Sequence, residues 1–194
     1  MQNDRPPLTT STLVRGMAFP HHGTNQANDT PLPALPRIRA CFESGSISVS
    51  ENIVVDTAER IFTDLGDAQT LNSAKNDNWK KPLWTALEES GLPLSWVPDD
   101  LGGAGAGLAD GFGVLAAAGR HAVAVPLAET MLAGWLLAQA GIASPAGMMT
   151  VAPCHPRDRL TLDADGTISG KARGVPFAKD AQHVAVIAQG AGGA

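Results

Sequence analysis

Apolar residues recur at helical spacing through the middle of the chain and at strand spacing toward its end. Val54, Val55, Ala58, Ile61, Phe62 and Leu65 share one face of a 3.6-residue repeat. Ser48-Val49-Ser50-Glu51 before them fits a capping box, and Gly66 is a stop signal. A polar link over 67–77 leads to a second predicted helix over 79–90. There Trp84 and Leu87 share a face, Leu83 lies beside them, and Pro82 is tolerable because it falls in the first turn. A third helix is predicted over 108–121, with Phe112, Leu115, Ala116 and Gly119 available for close packing, and a fourth over 127–140, entered at Pro126 and ended by Gly141. Beyond Gly141 the period shortens. Residues 148–152, 159–162, 167–172 and 183–188 read as strands, with a hairpin signal at Asp165-Gly166.

The stretch Trp96-Val97-Pro98-Asp99-Asp100-Leu101-Gly102-Gly103-Ala104-Gly105 organises this pattern. Pro98 forbids a helix through it, and the glycines permit a tight bend and close backbone approach. Residues 1–47 have no persistent period and hold six of the 14 prolines, so they read as a disordered or non-homologous extension. They carry four basic and three acidic residues, which leaves −6 of the net −5 charge on the remainder. That acidic balance gives no reason to expect a nucleic-acid partner. Cys41 and Cys154 stand alone, so neither a disulfide framework nor a zinc site is expected, in keeping with a cytoplasmic setting. The most apolar run, 122–140, contains Pro126 and Glu129 and falls short of a clean membrane span.

Candidate chemistry is sparse. His21-His22 lacks the further ligands of a metal site. Glu88 and Glu89 diverge by about 100° on a helix and cannot flank one substrate. Residues 102–107 spell GGAGAG rather than GxGxxG and follow no clear strand, so a loop joining two helices is favoured over a dinucleotide site. Arg120 and His121 suit a helix C-terminus, and Glu129 suits a first turn. Glu129 is also the one carboxylate in its apolar run, so a general-base role is conceivable, yet no residue is assigned as catalytic. Cys154-His155 invites a nucleophile reading but lacks an evident orienting group.

Taken in order, these pieces form a pattern. Trp84-xx-Leu87-Glu88-Glu89-x-Gly91-Leu92, then Val97-Pro98-Asp99-Asp100-Leu101-Gly102-Gly103-x-Gly105, resembles the N-terminal helical domain of the acyl-CoA dehydrogenases. Gly119-Arg120, Pro126-Leu127-Ala128-Glu129-Thr130 and Leu136-Leu137-xxx-Gly141 resemble the next helices. Asp165-Gly166-Thr167-Ile168-Ser169-Gly170-Lys171 and Ala181-Gln182-His183-Val184-Ala185-Val186 resemble strands of that family's middle β-domain. The resemblance implies an α+β protein: an all-α helical domain over 48–145, then an incomplete antiparallel β-domain over 146–194, whose last strand near 184–188 is left unpaired. It implies FAD as cofactor, an acyl-CoA substrate desaturated between its α and β carbons, an electron-transfer flavoprotein as oxidant, and a homo- or hetero-oligomer. In such enzymes a carboxylate takes the α proton while hydride leaves the β carbon for the flavin, which carries the hydride chemistry.

The cofactor contacts implied are Val151 and Ala152, where the family has Thr-Glu-Pro, and Val175 and Pro176, near the place of its Trp-Ile-Thr. Cys154-His155-Pro156-Arg157 stands where a Gly-Ser-Asp turn meets the pyrophosphate. The family's C-terminal helical domain, which supplies the base, has no counterpart in the sequence. The expectation is therefore the N-terminal portion of such a flavoenzyme, inactive alone. The rivals are a non-catalytic partner subunit and a truncated product without activity.

Overall fold

The computed structural model describes residues 13–14, 52–74 and 76–190. Helix α1 spans Ile53–Leu65. The predicted capping box, Ser48–Glu51, lies outside the described residues; Asn52 caps the helix instead, its side-chain oxygen accepting from Val55 N at 3.3 Å. Ala58 and Phe62 are fully buried on the predicted face, with Val54, Ile61 and Leu65 packed around them. The polar link contains a short helix, α2 (Ala68–Ser73), that carries no apolar period of its own. Helix α3 spans Lys80–Glu89 with Pro82 in its first turn, and buries Leu83, Trp84 and Leu87. Gly91 ends it at φ +72°, a conformation that side chains resist. Lys80, beside α3's start, is partly desolvated, which disfavours its charge. Asp77 and Asp180 outweigh this and raise its pKa.

Helix α4 spans Leu108–Arg120 and lies along α1. Asn52 Nδ2 donates to Asp110 Oδ1 at 2.6 Å, a Cβ at Gly113 would come 2.6 Å from Val55 Cγ2, and Glu59 accepts from Arg120 and from His121 Nε2. Contacts thus advance together along both helices, which makes the pair parallel. The bonds from Arg120, then His121, hold the Glu59 carboxyl below its ordinary pKa. The buried face of α4 is Gly111, Val114 and Ala117. Phe112, Ala116 and Gly119 are exposed, contrary to the expected packing face, and only Leu115 reaches the core. The small residues of this helix made its phase ambiguous; the Gly113 approach to Val55 fixes it.

Helix α5 spans Leu127–Gln139 and is buried over a wide arc. Leu127 and Met131 join the helical core, whereas Ala133 and Leu137 pack on Met149, Val151 and Ala185 of the strands. One helix therefore serves both cores.

The strands are β1 (Leu13–Val14), β2 (Met149–Ala152), β3 (Leu160–Leu162), β4 (Ile168–Gly170), β5 (His183–Ile187) and β6 (Gln189–Gly190). They form two three-stranded sheets, ordered β1-β5-β2 and β4-β3-β6. The expected antiparallel pairing holds for the β3–β4 hairpin, turned at Gly166 with φ +87°. The other pairs are parallel. Between β2 and β5 run some thirty residues including that hairpin, enough to return the chain to its starting direction. The expectation of an unpaired strand near 184–188 is also corrected. β5 has β2 on one side and β1 on the other, with Leu13 opposite Val186 and Val14 opposite Ile187. Leu13 and Val14 fall within the expected extension; the rest of 1–47 lies outside the described residues.

Candidate functional site: the cleft between α5 and β2

The glycine-rich turn is the frame on which α5 is set. Single-turn 3-10 helices occupy Leu92–Leu94 and Asp99–Leu101. Ala104 N donates to Leu94 O, Gly105 N to Val97 O, and Ala106 N to Ser95 O, at 3.2, 2.9 and 2.8 Å. Gly102 N and Gly103 N donate to Asp99 O and Pro98 O, each at 3.0 Å. The amides a dinucleotide phosphate would need are therefore spent inside the loop, and no strand precedes it. The loop places Val97, fully buried, against α5, where a Cβ at Gly134 would come 2.8 Å from Val97 Cγ2. Trp96 packs edge-on against Phe112, with ring centroids 5.1 Å apart.

On its other side α5 is fastened to β2 by Thr130, which is 1% exposed. Its Oγ1 donates to Pro126 O at 2.6 Å and accepts from Met149 N at 3.0 Å. Between the two elements lies an open concavity of about 200 Å³, lined by Ala128, Glu129, Leu132, Thr150, Val151, Cys154 and Pro176. That is below the ~300–1,000 Å³ of a complete small-molecule pocket, so these residues form a wall rather than an enclosure.

The expected cofactor contacts divide between two surfaces. Val151 and Pro176 line the cleft, where Thr150 Oγ1 donates to Pro176 O at 2.8 Å. Ala152 points to the opposite face and packs with Leu160, Val186 and Ala188, and Val175 lies against that same cluster. Two of the four residues are thus brought together and two are not. Glu129 does reach the cleft, half-buried, with no hydrogen bond among the described residues. The cleft wall suits a flat apolar group. It does not suit phosphates: the Thr150 hydroxyl is spent on Pro176, the Cys154 thiol donates to Val151 O at 2.9 Å, and the lining offers a carboxylate, Glu129, but no basic side chain. An FAD would meet this wall with its ring portion only.

The other candidates resolve as structural. Glu88 Oε1 accepts from Gly147 N at 2.8 Å and ties α3 to the strand entry, while Glu89 is exposed. Cys154 and His155 do gain a third group that the sequence concealed. Asp158, 5% exposed, lies with Oδ1 3.9 Å from His155 Nδ1. Yet Nδ1 accepts from Arg157 N at 3.2 Å and the thiol is turned to Val151, so no nucleophile–base pair forms. Asp158 is instead the anchor of Arg173, which it binds through side chain and backbone, and that pairing holds its carboxyl below the usual aspartate range. A lone Asp with its Arg fifteen residues away gives no local signal. Among the described residues no group of three metal ligands occurs, and no helix is long and apolar enough to cross a membrane. His21-His22 lies outside the described residues.

No family model matches the sequence, and no curated protein does. Among solved structures the chain is similar to a steroid acyl-CoA dehydrogenase, Tcur3481-Tcur3483 in a glycine-to-alanine variant, at 28% identity and a TM-score of 0.60. The match covers 74% of this chain and 46% of that one, so the chain spans about half the length of the structure it matches. With the helical core, the glycine-rich turn and the α5–β2 cleft in place, the chain has an acyl-CoA dehydrogenase-like fold.

Proposed function

We propose that these residues form the N-terminal helical and first-strand portion of an acyl-CoA dehydrogenase-like flavoenzyme that desaturates an acyl-CoA thioester with FAD. The observation that carries this reading is the likeness to the steroid acyl-CoA dehydrogenase across three quarters of the chain. A steroid-linked acyl-CoA is accordingly the first substrate to test. Reoxidation by an electron-transfer flavoprotein, cytoplasmic location and assembly as a homo- or hetero-oligomer belong to the same proposal. The cleft's part in it is to supply one apolar wall, from Leu132, Val151 and Pro176, against which a ring or acyl chain rests.

We infer that none of the described carboxylates is the catalytic base. Desaturation needs a carboxylate within hydrogen-bond reach of the α proton. Glu129 is the carboxylate in the cleft, but it sits in the first turn of α5, where the helix dipole already accounts for it. A second reading, a non-catalytic partner subunit of a heteromeric enzyme, is favoured by the wall's lack of phosphate donors. Flavin titration and acyl-CoA oxidation assays on the purified chain test the assignment. The expected result is weak or absent FAD binding and no turnover. Tight stoichiometric flavin binding would overturn the expectation that the chain alone holds only part of the flavin site, and turnover that Glu129→Gln abolishes would make Glu129 the base.

A further inference from the structure

A second concavity opens where three segments meet: the C-terminal end of α3, the glycine-rich turn and the connection from α5 into β2. Its volume is about 460 Å³, more than twice that of the α5–β2 cleft and within the ~300–1,000 Å³ of small-molecule sites. Much of its wall is backbone. Gly91, Gly102 and Gly147 stand there at φ +72°, +83° and +101°, and a Cβ at Gly102 would meet nothing within 4 Å. A wall of hydrogen-bonded turns, rather than of long side chains, is set before a ligand arrives.

The wall has few donors left. The N–H groups of Gly102, Gly103 and Ala104 are spent inside the turn. Gly91 N donates to Glu88 O at 3.0 Å, Leu94 N to Gly91 O at 3.1 Å, and Gly147 N to Glu88 Oε1 at 2.8 Å. Pro93 and Pro145, also in the wall, have no N–H to offer. Among the described residues no Lys, Arg or His lines it.

Acceptors remain. Glu88 and Glu89 both border the cavity; the divergence that denies them a catalytic pairing does not keep them from one wide rim. Glu88 keeps Oε2 and Glu89 both of its oxygens, unspent among the described residues. They close the last turn of α3, where the helix dipole adds partial negative charge. Like charges gathered there are relieved by a cation. A hard metal ion, which takes about 6–8 oxygen ligands, is not matched by two carboxylates. An ammonium offers three donors and no acceptor, the complement of this lining.

We propose that this cavity binds the alkylammonium group of a small amine. The inference rests on the cavity and not on the acyl-CoA reading.

The test is titration of the isotope-labelled 194-residue chain with n-butylammonium chloride at constant ionic strength, followed through backbone amide signals in two-dimensional NMR. Saturable shifts are expected at Gly91, Gly102, Gly103 and Gly147, with a millimolar dissociation constant. Both glutamates are exposed, so Glu89→Gln should weaken binding about threefold, and Glu88→Gln with Glu89→Gln about tenfold. A glutamine at 88 keeps an oxygen for Gly147 N, so the wall is retained, and unchanged signals elsewhere confirm the fold. Tetramethylammonium keeps the charge without N–H donors, and butyrate reverses the charge; both should bind more weakly. Nα-acetyl-lysine methylamide should bind no more tightly than butylammonium. Absence of saturable shifts at these glycines overturns the proposal, as does undiminished binding in the folded double variant. So does tetramethylammonium or butyrate binding as tightly as butylammonium. Tighter binding of the lysine compound would assign the ammonium to a partner protein's side chain and overturn the small-amine reading. Flavin plays no part in these readouts, so failure of the flavoenzyme reading leaves them unaffected.

Discussion

Gly103→Ala is expected to be among the most damaging single-methyl changes in the helical half. A Cβ at Gly103 would fall on the Val97 carbonyl oxygen and 2.5 Å from its carbon. Both atoms are backbone, so neither can swing away. One outcome is that the loop opens and loses the bonds from Gly103 to Pro98, Ala104 to Leu94 and Gly105 to Val97. At about 1 kcal/mol net each, that costs about 3 kcal/mol. If the loop instead stays closed, overpacking strain of about 1–3 kcal/mol remains. Either way the melting temperature should fall, by about 2–12 °C at about 2–4 °C per kcal/mol. Two controls isolate the cause. Gly102 has open space but φ +83°, so Gly102→Ala should cost about 1–2 kcal/mol from backbone strain alone. Gly119, exposed in α4 with nothing within 4 Å, should gain up to about 1 kcal/mol as Ala. Circular dichroism melts should rank Gly119→Ala above wild type, then Gly102→Ala, then Gly103→Ala. A Gly103→Ala melt within about 1 °C of wild type would refute the turn as a close-packed frame.

Thr130→Val keeps the shape of the α5–β2 fastening but leaves Met149 N–H buried without its acceptor. Urea unfolding should show a loss of about 1–3 kcal/mol with little change in slope. Asp158 has its folded-state pKa lowered, chiefly by the Arg173 hydrogen bond, so its contribution to stability is present above the ordinary aspartate value of about 4 and is lost as pH falls through the lower folded value. Asp158→Asn should flatten stability against pH on the acid side, which acid titration followed by circular dichroism will show; an unchanged profile would count against the pairing.

What could be read from the sequence was what is encoded locally. The α1 stripe from Val54 to Leu65, the stop at Gly91 and the Asp165-Gly166 hairpin each depend on residues a few positions apart, and all appear in the structure. The phase of α4 is hidden because Phe112 looks like a core residue, whereas Gly111 and Gly113 are what admit Trp96 and Val55. Parallel pairing of β2 with β5 and the arrival of Leu13–Val14 beside β5 depend on long-range closure, which no local pattern announces. Val151 and Pro176 line the cleft, whereas Ala152 packs with Leu160 and Val186, and the Asp158–Arg173 anchor gives no local signal because its partners are distant in sequence.

The most direct test of the flavoenzyme assignment is purification of the tagged chain from its own cells, followed by visible absorbance and anaerobic titration with acyl-CoA thioesters, a steroid-linked one included. The expected result is a flavin-containing assembly whose flavin absorbance bleaches on addition of an acyl-CoA, with the same bleaching when the tagged chain carries Glu129→Gln. A colourless eluate, or a bound flavin that no acyl-CoA reduces, would contradict it.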